Sequence, residues 1–105
     1  YLEGADLKKA NLKDAALEDT YLKGADLSDS KFRGGNLRGA NLAGANLEGA
    51  NLKDVTLEGA NLYDANLREA NLRNANLEDV NLEGAKLKGA IMDNNYSINS
   101  CLYFL

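Results

Sequence analysis

The chain has 105 residues, 45% hydrophobic and 27% charged, and 12 Lys and Arg against 16 Asp and Glu leave a net charge of −4. One domain suffices for that length, and so mild an acidity excludes both a polyanion and a strongly basic nucleic-acid binder. His, Pro and Trp are absent, and the single Cys cannot close an intrachain disulfide, so nothing fixes the redox compartment. No apolar run is long enough to span a membrane and no signal peptide is visible, so the expectation is a soluble chain, cytoplasmic by default.

From Tyr1 onward the chain repeats a five-residue phrase, roughly A-N-L-X-G, until Asn94. It opens in phase, with neither Met nor an N-terminal cap, and reads as a piece of a longer protein. Leu recurs at 2, 7, 12, 17, 22 and 27, Phe32 takes the next slot, Leu resumes from 37 to 87, and Met92 closes the series. An α-helix cannot bury this set, because five residues turn about 500° and successive Leu would drift about 140°. A straight strand cannot either, because an odd spacing puts successive Leu on opposite faces. A chain that bends the same way once per phrase can turn every Leu inward, so each phrase is one short side plus one corner.

The other slots fit that reading. Two residues before each central Leu sits Ala, or the small or β-branched Thr20, Ser30, Gly35, Val55 and Val80. This slot points the same way as the centre and is limited in size. The slot just before the centre is mostly Asn or Asp and points out, and the two slots after it are polar. The second of these is often Gly, as a type II turn requires at its third residue. Asp tolerates positive φ less well, so Asp corners are expected to use another turn type, and Lys9 and Glu69 different corners again. Columns of like residues at spacing 20 (Ala5, Ala25, Ala45, Ala65 and Ala85; Gly4, Gly24, Gly44 and Gly84; Tyr1 and Tyr21) predict four sides per coil. Nineteen phrases then make nearly five coils, and Asn ladders between them are expected to add stability.

Phrases such as Ala40-Asn41-Leu42-Ala43-Gly44 resemble the A-(D/N)-L-X-X signature of the pentapeptide-repeat proteins. The resemblance covers about nine tenths of the chain and is specific because it recurs in tandem. It implies an all-β fold, a right-handed quadrilateral parallel β-helix. Ala16, Tyr21, Lys31, Thr56, Lys86 and Ile91 depart from the Asn/Asp slot, all at outward positions.

In chain order, the first phrases are the least regular. Tyr1 and Tyr21 share a column and are expected to stack outside the barrel. Phe32 is the one aromatic centre, and Gly35, the one Gly in the small inward slot, is expected to make room for its ring. Residues 36–90 form the most regular stretch, regular enough to suit a consensus-like engineered repeat protein, with Tyr63 outward and Val55 and Val80 slightly overfilling the small slot. After Asn94 the phrase fails. The domains are therefore 1–94, the β-helix, and 95–105, a tail with Ile98, Leu102, Tyr103, Phe104 and Leu105 that would cap the last coil near Met92.

Sorting charges by side gives the candidate interaction surface. The third side (centres 12, 32, 52, 72 and 92) carries Lys13, Lys31, Arg33, Lys53 and Arg73 against Asp14, Asp54 and Asp93. The fourth (centres 17, 37, 57 and 77) carries Glu18, Asp19, Glu58, Glu78 and Asp79 against Arg38. Lys13, Arg33, Lys53, Arg73, Glu18, Glu58 and Glu78 are the residues such a surface would use. The basic column has no interleaved aromatics and no nucleic-acid motif, which argues against direct DNA or RNA binding. No nucleophile–base pair, metal-ligand spacing or phosphate loop is present, and an interior of Leu and Ala leaves no pocket, so neither an enzyme nor a cofactor is expected. The expected function is a non-catalytic structural scaffold or protein-interaction module, with end-to-end or tail-mediated dimers as one mode of assembly. The alternative comes from the resemblance: some pentapeptide-repeat proteins mimic duplex DNA and bind DNA gyrase. That role calls for strong, continuous acidity, which the third side lacks.

Overall fold

The computed structural model describes residues 1–93. The boundary at 94 and the capping role expected of residues 95–105 lie outside them. Parallel bridges join each residue before a centre to the residue 20 further on, in an unbroken series from Asp6↔Asp26 to Asn71↔Ile91. The chain is therefore a right-handed, four-sided parallel β-helix with 20 residues per coil. Each side is a strand reduced to a single bridge. In coil two, Leu22 N–H donates to Asn41 C=O at 2.8 Å, while Asn41 N–H donates back to Thr20 C=O at 3.0 Å. One residue cannot hold a sheet, so stability comes from repeating this exchange on four sides at every level.

The corners are uniform. The residue after each corner donates back to the centre three residues earlier, as in Ala5 N–H to Leu2 C=O at 3.0 Å. The third turn residue has positive φ, from 55° at Asp64 to 77° at Gly89. This corrects the expectation of different corners at Asp, Lys9 and Glu69: Lys9 (φ 62°), Asp14 (φ 59°) and Glu69 (φ 60°) turn as the glycines do. The reason lies in the ladder. The non-Gly corner N–H groups from Lys9 to Glu69 also bond to the next coil, Lys9 to Ser28 C=O at 2.9 Å and Glu69 to Lys88 C=O at 3.0 Å. These bonds fix the corner and outweigh a left-handed strain of about 1–2 kcal/mol per non-Gly residue.

Centres and small slots face inward. Leu22 to Ala85 form one buried core, with Phe32 fully enclosed. Leu2, Leu7, Leu12 and Leu17 at one end, and Leu87, Ala90 and Met92 at the other, are partly buried, and among the described residues each end coil has a neighbouring coil on one face. Gly35 does accommodate Phe32: a Cβ there would meet the Phe32 carbonyl oxygen at 3.0 Å and the ring Cδ1 at 3.3 Å. The corner also tightens, with Gly35 N–H 2.7 Å from Phe32 C=O against 3.0 Å at most Ala corners.

Asn serves chiefly within its own phrase. Its Oδ1 accepts from the backbone N–H two residues on, as in Ala43 to Asn41 at 3.1 Å and Glu83 to Asn81 at 3.0 Å. This local turn holds the corner ready for the ladder. Coil-to-coil Asn bonds of the expected kind are fewer: Asn66 to Asn46 at 3.3 Å and Asn81 to Asn61 at 3.4 Å.

Candidate interaction surface

The residue after each centre points into solvent, and on the third side this position builds one column: Lys13, Arg33, Lys53 and Arg73, with Asp93 in the last described coil. The parallel register stacks them one per coil, about 4.8 Å apart. Lys13, Arg33 and Arg73 are exposed and Lys53 is half-buried. The same position on the fourth side holds Glu18, Arg38, Glu58 and Glu78. The structure thus brings all seven candidate residues into two adjacent columns.

Two ion pairs form on these sides, and both involve Arg. Arg33 Nε lies 3.8 Å from Asp54 Oδ2, and Arg38 Nε donates to Glu58 Oε1 at 2.8 Å. Lys13, Lys53, Arg73, Glu18 and Glu78 have no ion pair among the described residues. Like charges stacked on neighbouring strands repel, as Lys13, Arg33, Lys53 and Arg73 do and as Glu58 and Glu78 do, whereas Arg38 lies between Glu18 and Glu58 and offsets them.

The fourth side also carries an open groove of about 580 Å³ lined by Glu18, Asp19, Arg38, Gly39, Glu58, Gly59 and Asp79. Its corner column runs Asp19, Gly39, Gly59, Asp79, so two bare glycines form a trough with a carboxylate at each end. Asp19 leans across the next coil, with its Oδ1 standing where a Cβ on Gly39 would be. Asp14 over Gly34, Asp29 over Gly49, Asp64 over Gly84 and Glu69 over Gly89 repeat the arrangement. Reading the chain phrase by phrase misses this rule, although the acid-then-Gly order at spacing 20 carries its signal.

Elsewhere the surface is bland. On the first side Tyr1 and Tyr21 stack as expected, with ring centroids 4.7 Å apart and planes at 29°, and Tyr63 is exposed. On the second side Asp26 is held below the usual carboxylate value. The causes are the Ser28 hydroxyl at 2.7 Å, then the Ser28 N–H at 3.1 Å, then the charge of Lys8, whose Nζ is 3.9 Å away. Among the described residues, no group of three or more acidic, His or Cys side chains could hold a metal ion, and no helix is long and apolar enough to cross a membrane.

Against known proteins, the family description "Pentapeptide repeats" matches residues 1–39, 20–59 and 60–94, in eight copies. No curated protein matches. Among solved structures, a pentapeptide repeat protein of the Arabidopsis thaliana thylakoid lumen is 42% identical over 75% of this chain and 55% of its own, with a TM-score of 0.72. HetL, a pentapeptide repeat protein involved in heterocyst differentiation regulation in the cyanobacterium Nostoc sp. strain PCC 7120, is 38% identical over 84% of this chain and 45% of its own, with a TM-score of 0.69. Rfr23 of the cyanobacterium Cyanothece 51142 is 40% identical over 85% and 58%, with a TM-score of 0.52. The chain spans about half the length of these structures. With a tandem match over residues 1–94 and 20-residue coils closed through four left-handed corners, the chain belongs to the pentapeptide-repeat family.

Proposed function

We propose that the chain is a non-catalytic scaffold whose third and fourth sides dock a protein by charge matching. One observation carries this reading. Lys13, Lys53 and Arg73 stand in one column, and Glu18 and Glu78 in the next, without ion pairs among the described residues. The cation column costs the fold something in repulsion, and a rigid frame presents both columns at fixed spacing to an oppositely charged surface. Among the described residues the frame offers no enclosed site in which a carboxylate could be desolvated for catalysis, since its interior is filled by Leu, Ala, Val and Phe32.

Thermal unfolding tests the premise without knowledge of the partner. Replacing Lys53 and Arg73 together by Ser should leave the melting temperature unchanged or raise it slightly. A loss of about 4 °C or more, equivalent to about 1 kcal/mol in a domain of this size, would make the column structural and overturn the reading. The acidic trough on the fourth side favours a second reading, a DNA mimic acting on DNA gyrase, but the adjacent cation column puts positive charge where a mimic needs negative. A gyrase supercoiling assay with no inhibition is the expected result, and dose-dependent inhibition would replace the scaffold by the mimic.

A further inference from the structure

We propose that the partner of this surface is a second copy of the chain: the third side of one molecule docks on the fourth side of the next, and four copies close a ring. The inference rests on the docking surface proposed above and names its occupant. Both columns belong to the same solenoid, so they share one rise per coil and stay matched along their whole height. A contact between different faces makes either a ring or an open filament. Here the two faces are adjacent sides of a four-sided coil and meet at about 90°, and a quarter turn per copy closes after four copies.

The charges agree coil by coil. With two copies parallel and level, Lys13 stands beside Glu18, Lys53 beside Glu58 and Arg73 beside Glu78. The remaining coil sets Arg33 beside Arg38, and these two guanidiniums are the ones already next to carboxylates of their own chain, at 3.8 Å and 2.8 Å. The ion pairs formed within the chain thus neutralise the coil that would repel; they leave Lys13 with Glu18 and Arg73 with Glu78 unpaired and free to attract, while Lys53 meets a Glu58 that Arg38 already holds. Chain direction opposes across the contact, so the cation column faces the short side chains Ala16, Asn36, Thr56 and Asn76. The acid column lies two strand residues aside, about 6.5 Å, within reach of an extended Lys or Arg meeting a Glu. Lys31, exposed and without an ion pair among the described residues, is the one misplaced cation, next to Arg38 of the neighbouring copy. Exposed ion pairs are individually weak and screened by salt, and ring closure helps because every copy makes two contacts.

Sedimentation of the full chain tests this at about 0.5 mM protein in about 10 mM and about 300 mM NaCl, where the screening length falls from about 30 Å to under 8 Å. The expected result is a fourfold mass at low salt and the single-chain mass at high salt. Two reversal variants sharpen it: Lys53→Glu with Arg73→Glu sets acid against Glu58 and Glu78 of the next copy, and Glu58→Lys with Glu78→Lys sets base against Lys53 and Arg73. Each alone should stay single, and a one-to-one mixture should regain the fourfold mass. Lys31→Ser should shift assembly to several-fold lower concentration. A wild-type chain that stays single at low salt overturns the ring, as does a mixture that fails to assemble while both variants keep the wild-type circular dichroism. Association that persists at high salt, or in either variant alone, also overturns it by pointing to the coil ends. A single wild-type chain would leave the scaffold reading standing, because that reading fails by the melting experiment and not by this one.

Discussion

Gly35→Ala offers a direct measure of how tightly the core dictates residue size. Gly35 has no left-handed φ, so a side chain there is strained only by what it meets. Alone, Ala would gain about 0.4–1 kcal/mol through a less flexible unfolded chain. Its Cβ, however, would sit 3.0 Å from the Phe32 carbonyl oxygen, 3.3 Å from the ring and 3.5 Å from the Ala15 carbonyl oxygen. The tightest neighbour is backbone, the Phe32 carbonyl oxygen that Gly35 N–H already holds at 2.7 Å, and the ring beside it is enclosed by the core, so neither has room to give way. Overpacking of this kind costs about 1–3 kcal/mol, so the net expectation is a loss of about 1–2 kcal/mol. Phe32→Leu alone should also destabilise, because it leaves a void beside Gly35. The double variant restores the phrase used elsewhere and should lie near or above wild type, a coupling of about 1–3 kcal/mol in favour of the pair. Urea unfolding followed by circular dichroism gives the four stabilities by linear extrapolation. If Gly35→Ala is neutral, or the two changes add within about 0.5 kcal/mol, the size-matching argument is wrong.

Ser30 is 1% exposed and its Oγ has no hydrogen-bond partner, so Ser30→Ala should stabilise by about 1 kcal/mol in the same urea experiment. Lys9→Gly removes left-handed strain at the cost of unfolded-state entropy and should raise stability by about 0.5–1 kcal/mol. Asn66→Ala loses the bond from Arg68 N–H at 3.1 Å and those to Asn46 and Glu48 at 3.3 and 3.2 Å, and should cost about 1–2 kcal/mol. Asp26, held below its usual value, is more acidic folded than unfolded. The stability it contributes is therefore complete above the unfolded value and lost as pH falls from there through the folded one. Ser28→Ala should move the Asp26 titration, followed by carboxyl NMR, up toward the ordinary value and leave less acid-sensitive stability.

The core was legible because inward positions answer only to size and polarity. The Leu recurrence and the small slot before it fixed which residues face in, and Phe32 with Gly35 was readable as a compensated pair because both deviate within one phrase. The corners were not, since reading Lys9 or Glu69 alone weighs only its own reluctance toward positive φ. The structure adds two bonds per corner, one back to the centre and one up to the next coil, and together they prevail. Asn was read as a ladder residue, yet its commoner bond is local, because the N–H two residues on is always in reach while the next Asn must be rotated to meet it.

The surface demands a different direction of reading. Of the five positions in a phrase, two point inward, one braces the corner through its side-chain oxygen, and one must accept positive φ. Only the residue after the centre carries no structural duty. Along the chain that position reads Glu3, Lys8, Lys13, Glu18, Lys23, Ser28, Arg33, Arg38, with no pattern to notice. Down the coils it sorts into a mostly cationic column that ends in Asp93, a mostly acidic one, and two mixed ones. The same holds for the acids that lean over glycines, which form neighbours only at spacing 20. A five-residue period therefore encodes the fold, and the 20-residue period encodes what the fold presents. The interaction surface proposed above is built from that one free position, and the melting experiment on Lys53 and Arg73 tests whether the frame needs them.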